Sequence, residues 1–260
     1  MKDSHFSYAP RLKVPQREAF GRALRVLNSA IPRYLVAGAI AHHAYTGIWR
    51  DTNDLDIFLR ARDVKTALDA MADAGFETRV ENGIWIAKAF WNGFLVDLIF
   101  DMRNGLMPVT DDWFETGNAA EIAGVETRLI SLEELIAAKV YIALRLRFDG
   151  ADIVHLIRSA RGNIDWQRVL KRLGGNRPLL LWHFILFDYV YPGHSAYLPR
   201  DLVESLYQEM REGWSSAPED EFAFRGSVLD PYSFSVDIEE WGYRDQSNKS
   251  PRITPGGELI

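Results

Sequence analysis

The sequence predicts a first domain of mixed strands and helices around a β-sheet, followed by a helical domain. Through residue 130, short apolar runs such as YLVAG at 34–38 alternate with segments of helical spacing. Between residues 76 and 100 the apolar period is two, as in strands, and past residue 130 it is helical. This order of elements is typical of an α/β or α+β domain on a mixed sheet, with a helical lobe after it.

The elements of the first domain, predicted over residues 1–130, follow from apolar spacing and from glycine and proline stops. A helix follows Pro15 and ends near Pro32, and the strand YLVAG leads into a helix that Gly47 ends. The tight turn WNG at 91–93 joins two strands into a hairpin. The predicted strands are 34–38, 54–60, 76–80, 84–90, 94–100 and two short ones around Gly124, and the predicted helices are 17–30, 39–46 and 64–74.

The second domain, predicted over residues 131–212, consists of helices. Residues 213–260 mix Ser, Pro, Gly, Asp and Asn with a few aromatic residues, so they predict an extended or partly disordered C-terminal tail. The predicted helices are 132–148, 151–160, 166–173, 178–190 and about 200–212.

Composition narrows the class of protein. The 260 residues are 47% hydrophobic, which is ample for a packed core, and contain no cysteine, which excludes disulfides, thiolate metal sites and a thiol nucleophile. The net charge of -6 gives no overall basic field for nucleic acid. Since no secretory leader and no long apolar run are present, we expect a cytoplasmic protein with no membrane partner.

Three carboxylates interrupt strands that are otherwise apolar. Asp54 and Asp56 lie two apart in one predicted strand, so they point the same way about 6 to 7 Å apart. Such a pair repels itself unless a cation lies between, and hard oxygen ligands suit Mg²⁺ or Mn²⁺. Asp97 in FLVDLIF completes a cluster if its strand is adjacent, with Asp101 as the rival. The alternative is a solvent-facing acidic pair, with Asp101 a solvated residue at the strand end.

A glycine stands between the first strand and the next helix. In YLVAG the strand ends at Gly38, so the following helix offers free backbone N–H groups and a positive dipole end to an anion. A triphosphate could rest on this turn while its metal rests on the acids. The alternative is a glycine that serves only a tight connection.

Together these residues resemble the nucleotidyltransferase superfamily typified by DNA polymerase β and the antibiotic nucleotidyltransferases. Its hallmark is a strand ending in a glycine pair, a helix, a strand with two alternating acids, and a third acid on a later strand. Here these positions hold Gly38 and Ala39, then Asp54 and Asp56, then Asp97. The family usually has glycine or serine at the position of Ala39.

Two further segments carry the resemblance over about residues 34–157. The segment GIWRDTNDLDIF, with Gly47, Arg50 and Thr52, is similar to a variant seen in many small bacterial members. They commonly continue with a helix like SLEELIAAKVYIAL, which contains Lys139.

The resemblance implies the α+β nucleotidyltransferase fold, a mixed sheet flanked by helices, with a C-terminal helical domain. It implies a transferase that moves a nucleoside monophosphate from an NTP such as ATP to an acceptor hydroxyl and releases pyrophosphate, with Mg²⁺ or Mn²⁺ as cofactor. The implied acceptor is a small molecule, a tRNA end or a protein. A homodimer is compatible with the resemblance.

The same resemblance implies residue roles. Asp54, Asp56 and Asp97 are the expected catalytic metal ligands, with Asp97 also a candidate general base. The expected nucleotide-binding residues are Gly38, Ala39, Arg50, Thr52 and Lys139. For Thr52 a brace on Asp54 is the favoured alternative, and for Lys139 the alternative is a lysine that extends to the surface.

Two other functions remain open from the sequence. One is a catalytically silent member of the same fold that binds a nucleotide or a protein partner, which Ala39 favours and the three acids oppose. The other is a metal-dependent phosphodiesterase built on the same acids.

Overall fold

The computed structural model of the protein describes residues 11–216 and 220–260, which divide into two compact units. The first unit combines the chain up to Ser131 with Lys249–Ile260, and the second is Leu132–Asn248. The division after Ser131 lies one residue beyond the expected first domain. The parts of the expected first domain and tail that fall on residues 1–10 and 217–219 lie outside the described residues.

A mixed sheet of seven strands forms the centre of the first unit, as the sequence predicts. Its strands are β1 (Leu35–Val36), β2 (Asp54–Phe58), β3 (Glu77–Asn82), β4 (Ile86–Trp91), β5 (Phe94–Ile99), β6 (Asn118–Ile122) and β7 (Val125–Leu129), and its helices are α1 (Val14–Ala30), α2 (Gly38–Thr46) and α3 (Val64–Asp73). The strand order is β3-β4-β5-β2-β1-β7-β6. β2 is parallel to β5 and β1 to β7, while every other neighbouring pair of this sheet is antiparallel.

Helix α1 covers one face of the sheet with its apolar side. Phe20 and Leu24 are fully buried, and the Phe20 ring meets Phe94 of β5 edge-on at 6.1 Å between ring centroids. Because side chains alternate along a strand, Phe94 and Asp97 point to opposite faces of β5. The acid therefore lies on the face away from α1.

The hairpin of β4 and β5 fixes the register beside the acids. Asn92 and Gly93 both have positive φ, 50° and 81°, the backbone conformation that a two-residue turn of right-handed twist requires. Trp91 then pairs with Phe94, and the ladder continues as far as Ile86 opposite Ile99.

The second unit is mainly helical, as predicted. Its helices are α4 (Leu132–Val140), α5 (Gly150–Ala160), α6 (Trp166–Leu173), α7 (Pro178–Val190), α8 (Arg200–Ser215), α9 (Gly226–Leu229) and α10 (Ser235–Glu239), and its short strands are β8 (Ala143–Leu144), β9 (Arg147–Phe148), β10 (Ala223–Phe224) and β11 (Arg244–Asp245). The predicted cap Asp165 accepts a hydrogen bond from the Arg168 N–H at 3.1 Å and begins α6.

The first helix of this unit is shorter than the sequence predicts. The helix expected over 132–148 ends at Val140, and the chain reverses through the antiparallel pair β8 and β9. The reversal brings Asp149 back to Lys139, whose ammonium lies 2.7 Å from the carboxylates of both Asp149 and Asp152. The helix thus ends before its predicted limit, and the ion pairs of Lys139 join its last turn to residues 10 and 13 positions further along the chain.

The C-terminal segment also differs from the extended tail expected over 213–260. α8 continues to Ser215, and the last twelve residues pack against the first unit. There the Arg252 N–H donates to the Gly83 carbonyl at 2.8 Å, and Ile253 is buried. The side chain of Arg252 forms an ion pair with Asp101.

Over residues 11–216 and 220–260, none of the helices combines the length and the apolar character needed to cross a bilayer.

Candidate active site

Three carboxylates meet on the face of the sheet away from α1. β2 and β5 are parallel neighbours whose register sets Asp56 directly opposite Asp97, and Asp54 precedes Asp56 by two residues on the same face. One oxygen from each of Asp54, Asp56 and Asp97 lies within 4.8 Å of the other two. The strand pairing therefore brings Asp97 into one cluster of oxygen atoms with two acids that lie 41 and 43 residues earlier in the sequence.

The cluster is partly withdrawn from solvent. Asp97 is 9% exposed, and burial raises the pKa of its carboxyl group, although the hydrogen bond and the charge of Lys88 act against that rise. The charge of Asp54 adds a smaller increase to the same pKa. Like charges held this close in a poorly solvated place favour a cation between them.

The glycine turn lies directly against this cluster. Gly38 begins α2 with φ of +57°, and a Cβ added to it would lie 1.6 Å from Oδ2 of Asp56. The Ala37 N–H donates to the Asp56 carbonyl at 2.9 Å, which holds the turn beside β2. Gly38 and Ala39, both half-buried, stand in the first turn of α2, where backbone N–H groups have no partner within a helix.

The loop before β2 is tied to Asp54 from one side and to α1 from the other. The Thr52 hydroxyl donates to the carbonyl and to the carboxylate of Asp54, which is the bracing arrangement. The buried side chain of Gln16 donates to the Thr52 carbonyl. Arg50 is exposed on this loop.

Lys88 is a member of the site that the sequence reasoning missed. It lies opposite Asp97 on β4, and its Nζ is 2.7 Å from Oδ1 of Asp97. The side chains of the lysine and the aspartate are 18% and 12% exposed. The signal was present in the sequence, because a two-residue turn at Asn92 and Gly93 pairs Trp91 with Phe94 and hence Lys88 with Asp97.

Lys139 belongs to the second unit, where its ammonium is buried between Asp149 and Asp152. Burial raises the pKa of Asp149, but the hydrogen bonds and charges of Arg147 and Lys139 outweigh it and hold that pKa below its ordinary value. These contacts make Lys139 part of a packed ion-pair cluster rather than a lysine that extends to the surface.

Asp101, the rival third acid, is buried, whereas the sequence reasoning expected a solvated residue. Its carboxylate accepts hydrogen bonds from the N–H groups of Met102 at 2.7 Å and Met107 at 2.9 Å, and it pairs with Arg252. It fastens a loop and the C-terminal segment, so Asp97 is the acid that joins the cluster.

The donor set of the cluster fits a hard divalent cation. Mg²⁺ and Mn²⁺ are bound by carboxylate oxygens together with water and substrate phosphates, and three such oxygens converge here. The N-terminus of α2, a kind of place where anions can bind, lies against one of the same acids.

Comparison with known families gives a match over most of the chain. A family described as "Nucleotidyl transferase of unknown function (DUF2204)" matches residues 16–174, which is more than half of the chain. These residues contain every strand of the seven-stranded sheet and all three acids of the cluster. No curated protein matches the chain in sequence.

Several solved structures are similar to this chain at low sequence identity. The antibiotic-resistance factor ANT(2'')-Ia is 16% identical, with a TM-score of 0.45 over 70% of this chain and 100% of its own. The lincosamide antibiotic adenylyltransferase LnuA, solved with lincomycin, is 16% identical, with a TM-score of 0.40 over 56% of this chain and 96% of its own. A nucleotidyltransferase-like antigen of Paracoccidioides brasiliensis is 20% identical, with a TM-score of 0.40 over 66% and 93%.

Proposed function

We propose, from the premise that this chain belongs to the nucleotidyl transferase family DUF2204, that it transfers a nucleoside monophosphate from an NTP to an acceptor hydroxyl and releases pyrophosphate. The observation that carries the proposal is the convergence of Asp54, Asp56 and Asp97 beside the glycine turn of α2. The proposed phosphate site and the proposed metal site are therefore adjacent.

Each residue of the site has a proposed task. Asp54, Asp56 and Asp97 hold Mg²⁺ or Mn²⁺, which when bound neutralises triphosphate charge and lowers the pKa of the acceptor hydroxyl. The N–H groups of Gly38 and Ala39 bind phosphate oxygens at the N-terminus of α2. Because the backbone supplies these donors, alanine at position 39 is compatible with the task.

The proposed reaction forms one bond and breaks one. The acceptor oxygen bonds to the α-phosphorus of the NTP, the bond from that phosphorus to pyrophosphate breaks, and the hydroxyl proton passes to the carboxylate of Asp97. Thr52 keeps Asp54 in place through its hydroxyl, and Arg50 on the same loop is proposed to contact phosphate. Lys139 is proposed as a phosphate contact on the resemblance alone.

Asp56→Asn tests the metal and nucleotide site in the full chain. We expect it to weaken Mn²⁺ binding, followed by the EPR signal of free ion, by roughly tenfold or more, because it removes one of three anionic ligands. It should also abolish the rise in melting temperature that an NTP with Mg²⁺ causes, measured for ATP, GTP, CTP and UTP. Asp73→Asn, on the exposed end of α3, removes the same charge and should change neither quantity.

Label position separates nucleotidyl transfer from other chemistry. With Mg²⁺ and a cell extract as the source of acceptor, label from the α-phosphate of an NTP should appear on a product, and label from the γ-phosphate should leave as pyrophosphate. Transfer of γ-label would contradict the proposal. So would an Asp56→Asn variant with unchanged Mn²⁺ affinity and a higher melting temperature, which is the behaviour expected of a catalytically silent relative.

A further inference from the structure

The ion pair of Lys88 and Asp97 lies inside the proposed metal site. The lysine Nζ is 2.7 Å from Oδ1 of Asp97, and both side chains are largely buried. A lysine withdrawn from solvent needs a compensating charge, and here that charge is one of the three acids of the cluster. One oxygen of Asp97 is therefore engaged by an ammonium group before any ion enters.

The register of three strands arranges the site as a row. Lys88 on β4 is opposite Asp97 on β5, and Asp97 is opposite Asp56 on β2. Beyond Asp56, the Ala37 N–H binds the Asp56 carbonyl and Gly38 abuts its carboxylate. The lysine thus stands at one end of the row and the phosphate-binding turn of α2 at the other.

This position assigns Lys88 to the acceptor side of the site. If the triphosphate lies on the Gly38 turn, the hydroxyl that attacks its α-phosphorus approaches from the opposite end, where Asp97 accepts the proton. An ammonium that fixes one oxygen of Asp97 orients the other toward the row. It also neutralises one unit of charge without occupying the place of an ion between Asp54 and Asp56.

The ammonium of Lys88 places a positive charge beside the carboxylates, and this charge opposes the binding of a divalent cation by the same acids.

We propose that Lys88 is a positioning residue that orients Asp97 and lowers the affinity of the nucleotide-free cluster for a divalent cation. This inference rests on the proposed function, since it assumes that Asp54, Asp56 and Asp97 bind metal. It goes beyond that function by giving the cluster a built-in cation.

Mn²⁺ titration of the nucleotide-free full chain tests the proposal, with free ion followed by EPR. Lys88→Gln, a shorter side chain that keeps a hydrogen-bond donor and loses the charge, should bind Mn²⁺ roughly tenfold more tightly, because one nearby positive charge is removed. Lys88→Arg, which keeps the positive charge, should have the wild-type affinity. Lys65→Met removes an exposed cation paired with Asp69 and should leave the affinity unchanged.

Melting temperature provides a second readout. Without ions, Lys88→Gln should melt below the wild type because three carboxylates lose their cation, and saturating Mn²⁺ should raise its melting temperature more than that of the wild type. At saturating Mg²⁺ we expect kcat to fall about tenfold or more while KM for the NTP changes less than twofold, since the turn that binds phosphate is untouched.

The outcomes separate this inference from the proposed function. If Asp56→Asn weakens Mn²⁺ binding and Lys88→Gln binds Mn²⁺ like the wild type, the metal site stands and Lys88 is only a structural ion pair. If neither substitution changes Mn²⁺ affinity, the proposed function itself fails.

Discussion

At the scale of single residues, the site depends on a position where a side chain cannot be accommodated. Gly38 combines a left-handed backbone, with φ of +57°, and direct contact with the carboxylate of Asp56. Only glycine meets both requirements, since any Cβ would both strain the backbone and overlap Oδ2 of that acid. The residue that begins α2 therefore also sets where the carboxylate of Asp56 lies.

Gly38→Ala tests whether the contact with Asp56, in addition to backbone strain, matters at this position. We expect the variant to lose about 1 to 3 kcal/mol of unfolding free energy, from the left-handed residue and the displaced acid. Its Mn²⁺ affinity should fall at least roughly tenfold because Asp56 has to move. The measurements are urea unfolding and Mn²⁺ titration.

Gly124→Ala is the matched control for this prediction. Gly124 has φ of +74° in the turn between β6 and β7, but a Cβ there would meet no atom within 4 Å. It should lose a similar amount of stability from strain alone and keep the wild-type affinity for Mn²⁺. Equal Mn²⁺ affinity in both alanine variants would refute the contact between Gly38 and Asp56 as a determinant of metal binding.

At the scale of elements, the second unit is organised around the end of α4. The helix stops at Val140, the hairpin of β8 and β9 follows, and α5 begins at Gly150. Lys139 near the end of α4 meets Asp149 before α5 and Asp152 in its first turn. The ion pairs therefore join two helices across the hairpin that separates them.

Lys139→Met should destabilise the protein strongly, in a way that depends on pH. The loss at pH 7 should be about 3 to 5 kcal/mol, because two buried carboxylates lose their cation. The pKa of Asp149 is held below its ordinary value, so its stabilising contribution is present above an ordinary aspartate pKa and is lost as pH falls through the lowered value. The gap in unfolding free energy between wild type and variant should hence shrink once pH falls below the ordinary aspartate pKa of 3.8.

The contrasting result identifies a phosphate contact. If Lys139 serves mainly the triphosphate, the variant should unfold like the wild type at every pH and lose only the rise in melting temperature caused by NTP and Mg²⁺. Lys171→Met, in the last turn of α6, is a control that removes a more exposed lysine of the same unit.

The sequence predicts the local elements well and the long-range contacts unevenly. Asp56 and Asp97 could be placed together because alternation and a parallel pairing leave few arrangements, and Lys88 follows from the two-residue turn. The end of α4 could not be predicted, because AAKVYIAL has a continuous helical pattern, while the contacts of Lys139 are with residues 10 and 13 positions further along the chain. The same limit applies to Gln16, whose link to Thr52 spans 36 residues.

At the scale of the whole molecule, two separate segments of the chain form the first unit. Residues up to Ser131 build the sheet, and Lys249–Ile260 return to it after the second unit is complete. The returning segment is fixed by Arg252, whose guanidinium pairs with Asp101 and also donates to the Gly105 carbonyl at 3.1 Å. The sequence of this segment has no apolar periodicity, so its packing against the first unit could not be predicted from the segment alone.

Truncation should show that this segment stabilises the first unit. Removal of residues 249–260 leaves Asp101 buried without its cation, and burial raises the pKa of that carboxyl group while Arg252 lowers it. We expect a loss of about 3 kcal/mol or more in unfolding free energy at pH 7. A chain that ends at Thr254 keeps Arg252 and the buried Ile253, so it should retain much of the stability.

Arg252→Ala should cause most of the loss of stability that the truncation causes. The pH dependence of this loss should show whether the charge of Asp101 is its physical reason. A carboxyl group whose pKa is raised in the folded state destabilises the protein as pH rises past its ordinary value, and loss of Arg252 enlarges that rise. The difference in melting temperature between wild type and variant should therefore widen from pH 4 to pH 7. Arg252→Ala with Asp101→Asn should recover part of the stability at pH 7 because the buried charge is gone. A double variant less stable than Arg252→Ala, or a pH-independent difference, would mean that the segment acts through its apolar contacts alone.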